Sequence, residues 1–482
     1  MILDSIFEMA ARDPARLALI YNDRTLSYGD FAGAIAAAEA VVAGQEIGGP
    51  GVAILAMGNL LDGWIWSLAL RHRGLTTMVA RSLDDMVGAV LPSVRCVVAS
   101  ADEPWPGLDR HCQSQGWRLV SGKRDLPTSV GRPQRSHRPP GGHVLQTSAT
   151  TGAYKKVLID PVFEDAFMRQ RQVVFGITGA SMVSVFDFGL WTGVGYKTAV
   201  SAWMVGGAVI INQGRATHLA LEHPRITHAT VIPQLLAHLL TAPPRAIRRN
   251  EVLKLSVASG TITEAQAREA RARITPHLYS SVGSTEASTF AFTALYTPED
   301  RRWHNPVPDR DVQVVDEQDR PVPQGAVGRL RVSAKDGPCA YLCDDAASAA
   351  FFRQGFFYPG DLAVIRPDGR MALHGRVTEV INVMGHKIAP APYEDHLREV
   401  LGVSGVCLFS VQNDSAEEQI HLAIEAPAPL DLTLMTDALR QHLQGFGVAH
   451  VHYLQALPRN QSGKVQRLAV QGLIAEAGRT AG

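Results

Sequence analysis

At 482 residues the chain is longer than one hydrophobic core organises, so two or more domains are expected. Apolar residues make up 46% of it, and 46 Lys+Arg balance 46 Asp+Glu, leaving no net charge to recruit nucleic acid or a membrane surface. The cysteines (Cys96, Cys112, Cys339, Cys343, Cys407) are few, scattered and odd in number, which suits a reducing, cytoplasmic setting and not a disulfide scaffold; Cys339 and Cys343 lack the second ligand pair a metal site needs.

The opening 1–14 carries acids and an amphipathic rhythm where a signal peptide has a basic start and an apolar run, so no export is expected. A helix is expected over 2–12, strands over 17–21 and 25–27, and an alanine-rich helix over 28–42. Strand 52–55, helix 61–72, strand 76–79 and helix 84–91 then alternate as βαβ units do, which points to a parallel sheet. The apolar window 51–70 is cut by Asn59 and Asp62 and reads as strand then helix, not as a membrane span. The Pro/Gly/Arg stretch 131–142 is a connector.

It delivers the chain to Leu145-Gln-Thr-Ser-Ala-Thr-Thr-Gly-Ala-Tyr-Lys-Lys-Val157. Small residues here let backbone N–H groups converge on a polyanion. Thr147, Ser148, Thr150 and Thr151 add hydroxyls, Gly152 adds freedom, and Lys155 adds a compact charge. A Ser/Thr-rich surface turn has the same composition. It is not a Walker loop, because the lysine follows the only glycine by three positions.

Farther on, 184–196 is dense in aromatics and glycines. Phe188, Trp191, Thr192 and Tyr196, with Gly260 from the turn after strand 253–258, are the candidate substrate pocket, a slot for an apolar acid, although the aromatics would serve a core equally well. An apolar, helix-like run up to Gly207, a strand at 208–211, a helix at 264–274 and a strand at 277–280 lead into Val282-Gly283-Ser284-Thr285-Glu286. A hydroxyl beside a carboxylate suits a Mg²⁺–nucleotide site, as any Thr-Glu pair would. Short strands with turns at 316–319 and 323–328 precede Gly360-Asp361 and Gly375-Arg376. An aspartate there can accept from a ribose diol and an arginine can bridge diol and phosphate, while Asp368-Gly369 signals a hairpin turn.

In this order the stretches resemble the adenylate-forming superfamily of acyl-CoA synthetases, peptide-synthetase adenylation domains and luciferases. The 147–156 loop resembles Thr-Ser-Gly-Thr-Thr-Gly-x-Pro-Lys-Gly, with Ala149, Tyr154 and Lys156 departing from it. Gly283-Ser-Thr-Glu286 matches Gly-x-Thr-Glu and is nearest the phrase of benzoate-type CoA ligases. Gly360-Asp361, with Pro359 for the usual threonine, Gly375-Arg376, and 457–467 against Pro-x-x-x-x-Gly-Lys-x-x-Arg complete the set, and Arg24-Thr-Leu-Ser-Tyr28 is similar to the family's opening.

The resemblance implies an α/β fold: a large N-terminal adenylation core of α/β sheet subdomains, 1–376, and a smaller mobile α+β C-terminal domain, 377–482, hinged at Thr378. It implies ATP, Mg²⁺ and coenzyme A or a carrier-protein phosphopantetheine. Lys464, Glu286 and Thr285 would be catalytic, Glu286 holding the metal and Thr285 the α-phosphate. Thr147, Ser148, Thr150, Thr151, Gly152 and Lys155 would hold the outer phosphates, Gly283 and Ser284 the nucleotide, Asp361 and Arg376 the ribose, and Gly385 the pantetheine. The reaction implied is activation of a small-molecule carboxylic acid to an acyl-adenylate, then transfer to a thiol, with coenzyme A and an aryl or compact apolar acid favoured. Loading of an acyl carrier protein is the alternative, and a degenerate nucleotide- or acyl-binding homologue without turnover is a third reading. Asp187 falls too early for the aspartate that holds an amino group in peptide-synthetase domains, and Trp191-Thr192 land near that place, which disfavours an amino-acid substrate. No nucleic acid or membrane partner is implied.

Overall fold

The computed structural model describes residues 1–122, 139–147, 154–243, 245–335, 337–383, 386–412, 418–430, 448–460 and 463–480. The fold is mixed α/β, with a large N-terminal part and a smaller C-terminal one. Helix Ile2–Arg12 and the hairpin of Leu17–Tyr21 and Arg24–Ser27 stand where expected. Ser27 and Asp30 form a reciprocal capping box that starts helix Tyr28–Gly44. Helix 84–91 is shorter than expected, Leu83–Val87, because Gly88 caps it.

Two largely parallel sheets carry the N-terminal part. One runs Ser288–Ala294, His277–Ser284, Lys254–Ala258, His228–Val231, Met182–Ser184, Ala208–Ile211, Leu17–Tyr21, Arg24–Ser27, antiparallel only at its two edges. The other runs Arg118–Gly122, Val94–Ser100, Val52–Ala56, Thr76–Val79, His143–Thr147, Lys155–Ile159, antiparallel only at the last pair. Helices Leu60–His72 and Gly193–Trp203 are buried nearly all round and share one core cluster with strands of both sheets, as a helix apolar on every face must. Trp64 and Trp203 meet edge to face there at 4.8 Å between ring centres.

A third, antiparallel sheet includes Val327–Ser333, Asp361–Ile365 and Met371–Arg376. Beyond it, Val406–Gln412, Glu418–Glu425 and Val448–Leu454 form a small sheet whose core, including Leu397, Leu408, Leu422 and Ile424, is separate from the others. Helix Ala391–Leu401 of this part touches the N-terminal part: Glu399 accepts from the Glu264 N–H at 3.1 Å and pairs with Arg301 at 3.1 Å. Among the described residues no helix is long and apolar enough to cross a membrane.

Candidate active site

Strands His143–Thr147 and Lys155–Ile159 pair antiparallel with Thr147 opposite Lys155, so the two described ends of the Ser/Thr-rich stretch stand side by side. Ser148, Ala149, Thr150, Thr151 and Gly152 lie outside the described residues, as does Gly385. Lys155 places its ammonium 3.5 Å from the centre of the Phe351 ring. Burial holds it below the usual lysine range, with Glu286 and Asp344 acting in the opposite sense. Tyr154, where the family motif has proline, lies under the Arg81 guanidinium at 4.0 Å.

Strand His277–Ser284 runs further than expected and hands the chain to Thr285 and Glu286. Gly283 is needed for packing, because a Cβ there would overlap the Ser288 carbonyl, and Ser284 Oγ accepts from the Ala287 N–H at 2.9 Å to close the turn. Glu286 is buried, and its Oε1 accepts from the Tyr341 hydroxyl at 2.7 Å. The Thr285 carbonyl accepts from Lys197 Nζ at 2.7 Å. Lys197 is 3% exposed, and burial, with Arg171 beside it, pulls its ammonium down to about 7. Lys197 was not expected here; a lone lysine in the apolar helix Gly193–Trp203 is the signal that would have found it.

Asp361 and Arg376 face each other across adjacent strands and form an ion pair at 3.1 Å, while Arg376 also donates to the Pro359 carbonyl. Burial raises the Asp361 pKa, although Arg376 and Lys464 both favour its charge. Lys464 sits on a tight turn in which its N–H donates to Asn460 Oδ1 at 2.9 Å and Gly463 takes a φ of +79°. Its side chain keeps solvent access, yet the protein around it and then Arg376 lower its pKa, against Asp361, Glu379 and Glu286. Lys155, Glu286, Asp361, Arg376 and Lys464 thus lie within one electrostatic neighbourhood. Three cations converging beside two carboxylates are a donor set for a nucleotide polyphosphate. With Oε1 of Glu286 taken by Tyr341, Oε2 is the oxygen that would serve a divalent cation as a single carboxylate ligand, a donor that fits Mg²⁺.

Beside this cluster opens a cavity of ≈ 690 Å³ whose wall includes Trp105, Asp187, Phe188, Trp191 and Thr192. Thr192 caps helix Gly193–Trp203 by accepting from the Gly195 N–H, and a Cβ on Gly193 would stand 3.2 Å from Thr285 Oγ1, so cavity and cluster adjoin. The Gln146 N–H donates to the Trp191 carbonyl at 2.9 Å, tying strand His143–Thr147 to the cavity wall. Met57, Arg81, Gln234 and His238 also line it, and no sequence pattern pointed to these or to Trp105.

Two expected pocket residues are corrected. Tyr196 is fully buried, because the first turn of its helix points it into the core. There its hydroxyl bonds Glu164 and accepts from Arg71, whose own ion pair with Glu164 measures 2.9 Å, and its ring stacks on His143 at 4.5 Å. Gly260 is exposed on a turn against Pro233 and is not part of the wall.

Pseudomonine synthase PmsE of Pseudomonas entomophila is 24% identical over 57% of this chain and 47% of its own length. A long-chain-fatty-acid–CoA ligase of Salmonella typhimurium is 28% identical over 45% of this chain and 39% of its own. The fatty acid–[acyl-carrier-protein] ligase ScoC of Streptomyces coeruleorubidus is 25% identical over 67% and 65%. The chain therefore spans less than half the length of the first two of these relatives. Its fold is similar to that of ATP-bound MatB from Rhodopseudomonas palustris (TM-score 0.84, 18% identity, 98% of each chain). It is also similar to the amide bond synthetase McbA from Marinactinospora thermotolerans (TM-score 0.81, 18% identity, 98% of this chain and 99% of that one). The AMP-binding enzyme model matches residues 6–338, more than half of the sequence, and with the fold and the clustered motif residues it shows that this chain belongs to the family of AMP-binding enzymes.

Proposed function

We propose that the chain is an adenylate-forming ligase that uses ATP and Mg²⁺ to activate a carboxylic acid and then passes the acyl group to a thiol. The observation that carries this is the convergence of Lys155, Glu286, Asp361, Arg376 and Lys464 beside a cavity with an aromatic wall. The substrate carboxylate oxygen forms a bond to the α-phosphorus as the α–β P–O bond breaks, and pyrophosphate leaves with that electron pair. No side-chain nucleophile takes part; catalysis is positioning and charge stabilisation. Lys464 and Thr285 act at the α-phosphate, Lys155 and Thr147 hold the outer phosphates, and Asp361 and Arg376 hold the ribose. Mg²⁺, when bound at Glu286, draws charge from the phosphate oxygens. In this proposal 1–376 is the adenylation core and 377–482 a mobile unit hinged at Thr378.

Phe188, Trp105 and Trp191 in the cavity wall favour an aryl acid, and coenzyme A is the thiol we favour. Transfer to a carrier-protein phosphopantetheine is the second reading, supported by the match to ScoC over two thirds of the chain. Pyrophosphate release with benzoates, fatty acids and amino acids tests the acid, and thioester yield with coenzyme A against a holo-carrier protein tests the acceptor. Preference for an amino acid, lost in Asp187→Ala, would overturn the aryl assignment.

A further inference from the structure

The cavity and the lysine turn meet at one side chain. Gln234 lies in the first turn of helix Pro233–Thr241, where Pro233 supplies a fixed φ, and it forms part of the cavity wall. Its Nε2 donates to the carbonyl of Gly463, the residue before Lys464. The fit is close enough that a Cβ on Gly463 would overlap Gln234 Oε1, and the φ of +79° at Gly463 independently calls for glycine. Gln234 Oε1 is itself buried and has no partner among the described residues, so the side chain has one polar anchor, the lysine turn. Other polar contacts between the two parts, among the described residues, include Glu399 with Arg301 and the Glu264 N–H and Thr261 with Arg398 and Asp395; these lie on helix Ala391–Leu401 and are partly exposed. Such pairs stabilise weakly and tolerate displacement. They hold the C-terminal part near the site without fixing Lys464 to the tolerance phosphoryl chemistry needs.

We propose that Gln234 is a positioning residue that seats the Lys464 turn against the acid cavity, so that one side chain is at once wall for the acid and anchor for the lysine. This rests on the assignment of Lys464 to adenylation. An acid that displaces Gln234 therefore reacts slowly even when it binds well, and selection among acids falls on kcat.

The test uses two variants of the full chain. Gln234→Glu keeps the length but replaces the donor with an oxygen facing the Gly463 carbonyl; Gln234→Ala removes the side chain. Both should lower kcat for ATP–pyrophosphate exchange by about tenfold or more, with KM for the acid within about threefold. A residue that only lines the cavity would raise KM and leave kcat unchanged, and that result overturns the proposal. Seating is also read without turnover, from the distance between spin labels at Val173 and Leu468, 80% and 78% exposed, with Cys339 and Cys343 replaced by serine. The parent should give one narrow distribution, and both variants a broadened or displaced one. If the wild type exchanges no pyrophosphate with any acid, the proposed activity fails; the label distances still decide this inference, an unchanged distribution overturning it and a changed one supporting it.

Discussion

Tyr341 donates its hydroxyl to Glu286 Oε1 at 2.7 Å, and in the proposed site this bond leaves Oε2 for the cation. Burial and the Glu286 charge push the phenol well above its usual range, so it remains a donor at any working pH. Tyr341→Phe should free Glu286 to rotate and raise the Mg²⁺ concentration for half-maximal exchange by about tenfold to a hundredfold, the worth of one charge-assisted bond. Glu286→Gln should cost about a hundredfold or more in kcat. A Mg²⁺ titration of exchange checks both.

Gly189 lets the Trp191 ring lie across the backbone, since a Cβ there would overlap that ring. Gly189→Ala should therefore displace Trp191 from the cavity wall and mimic Trp191→Ala. Each should raise KM for an aryl acid by about tenfold, the worth of roughly 1.4 kcal/mol of apolar contact. Unchanged KM in both would place the acid elsewhere.

Arg71 and Glu164 are each 1% exposed and paired at 2.9 Å. Breaking such a pair leaves a buried charge, so Glu164→Gln should cost about 3–5 kcal/mol. Tyr196→Phe should cost less and leave KM for the acid unchanged, as a core residue would. Denaturant unfolding beside acid kinetics separates the two effects.

Burial lowers the pKa of His228 and of His304 from 6.5 to about 4, and that of His143 to about 3. Between these values and 6.5 the unfolded chain binds more protons than the folded one, so unfolding takes up protons and stability falls as pH drops from about 6.5 toward 4. The first melting midpoint should be lower at pH 5 than at pH 7 by about 5 °C or more. Replacing His228 with Asn should shrink that difference. A midpoint that rises toward pH 5 would contradict the sign.

The clustering of the candidate site was legible in part, because Lys155, Glu286, Asp361, Arg376 and Lys464 each belong to a short glycine-marked phrase and the structure brings them into one neighbourhood. The alternation of strand and helix over 52–79 was legible from periodicity for the same local reason. The order of the eight-stranded sheet, which sets Leu17–Tyr21 beside Ala208–Ile211, depends on pairings distant in the chain. Tyr196 was misplaced because an aromatic near a pocket and one in a core have the same composition, and only the helix face decides. Gln234 and Arg81 acquire their roles from neighbours far away in sequence, which no local pattern records. Ala149, which departs from the family motif by a methyl where a glycine is usual, lies outside the described residues; Ala149→Gly should lower KM for ATP, and an unchanged KM would show that the methyl does not weaken binding.

ATP–pyrophosphate exchange across a panel of carboxylic acids, in wild type and Lys464→Ala, bears most directly on the central claim. Acid-dependent exchange in the wild type, lowered about a hundredfold or more by the substitution, is the expected result. Absence of exchange with every acid in the wild type, or exchange indifferent to Lys464, would contradict it.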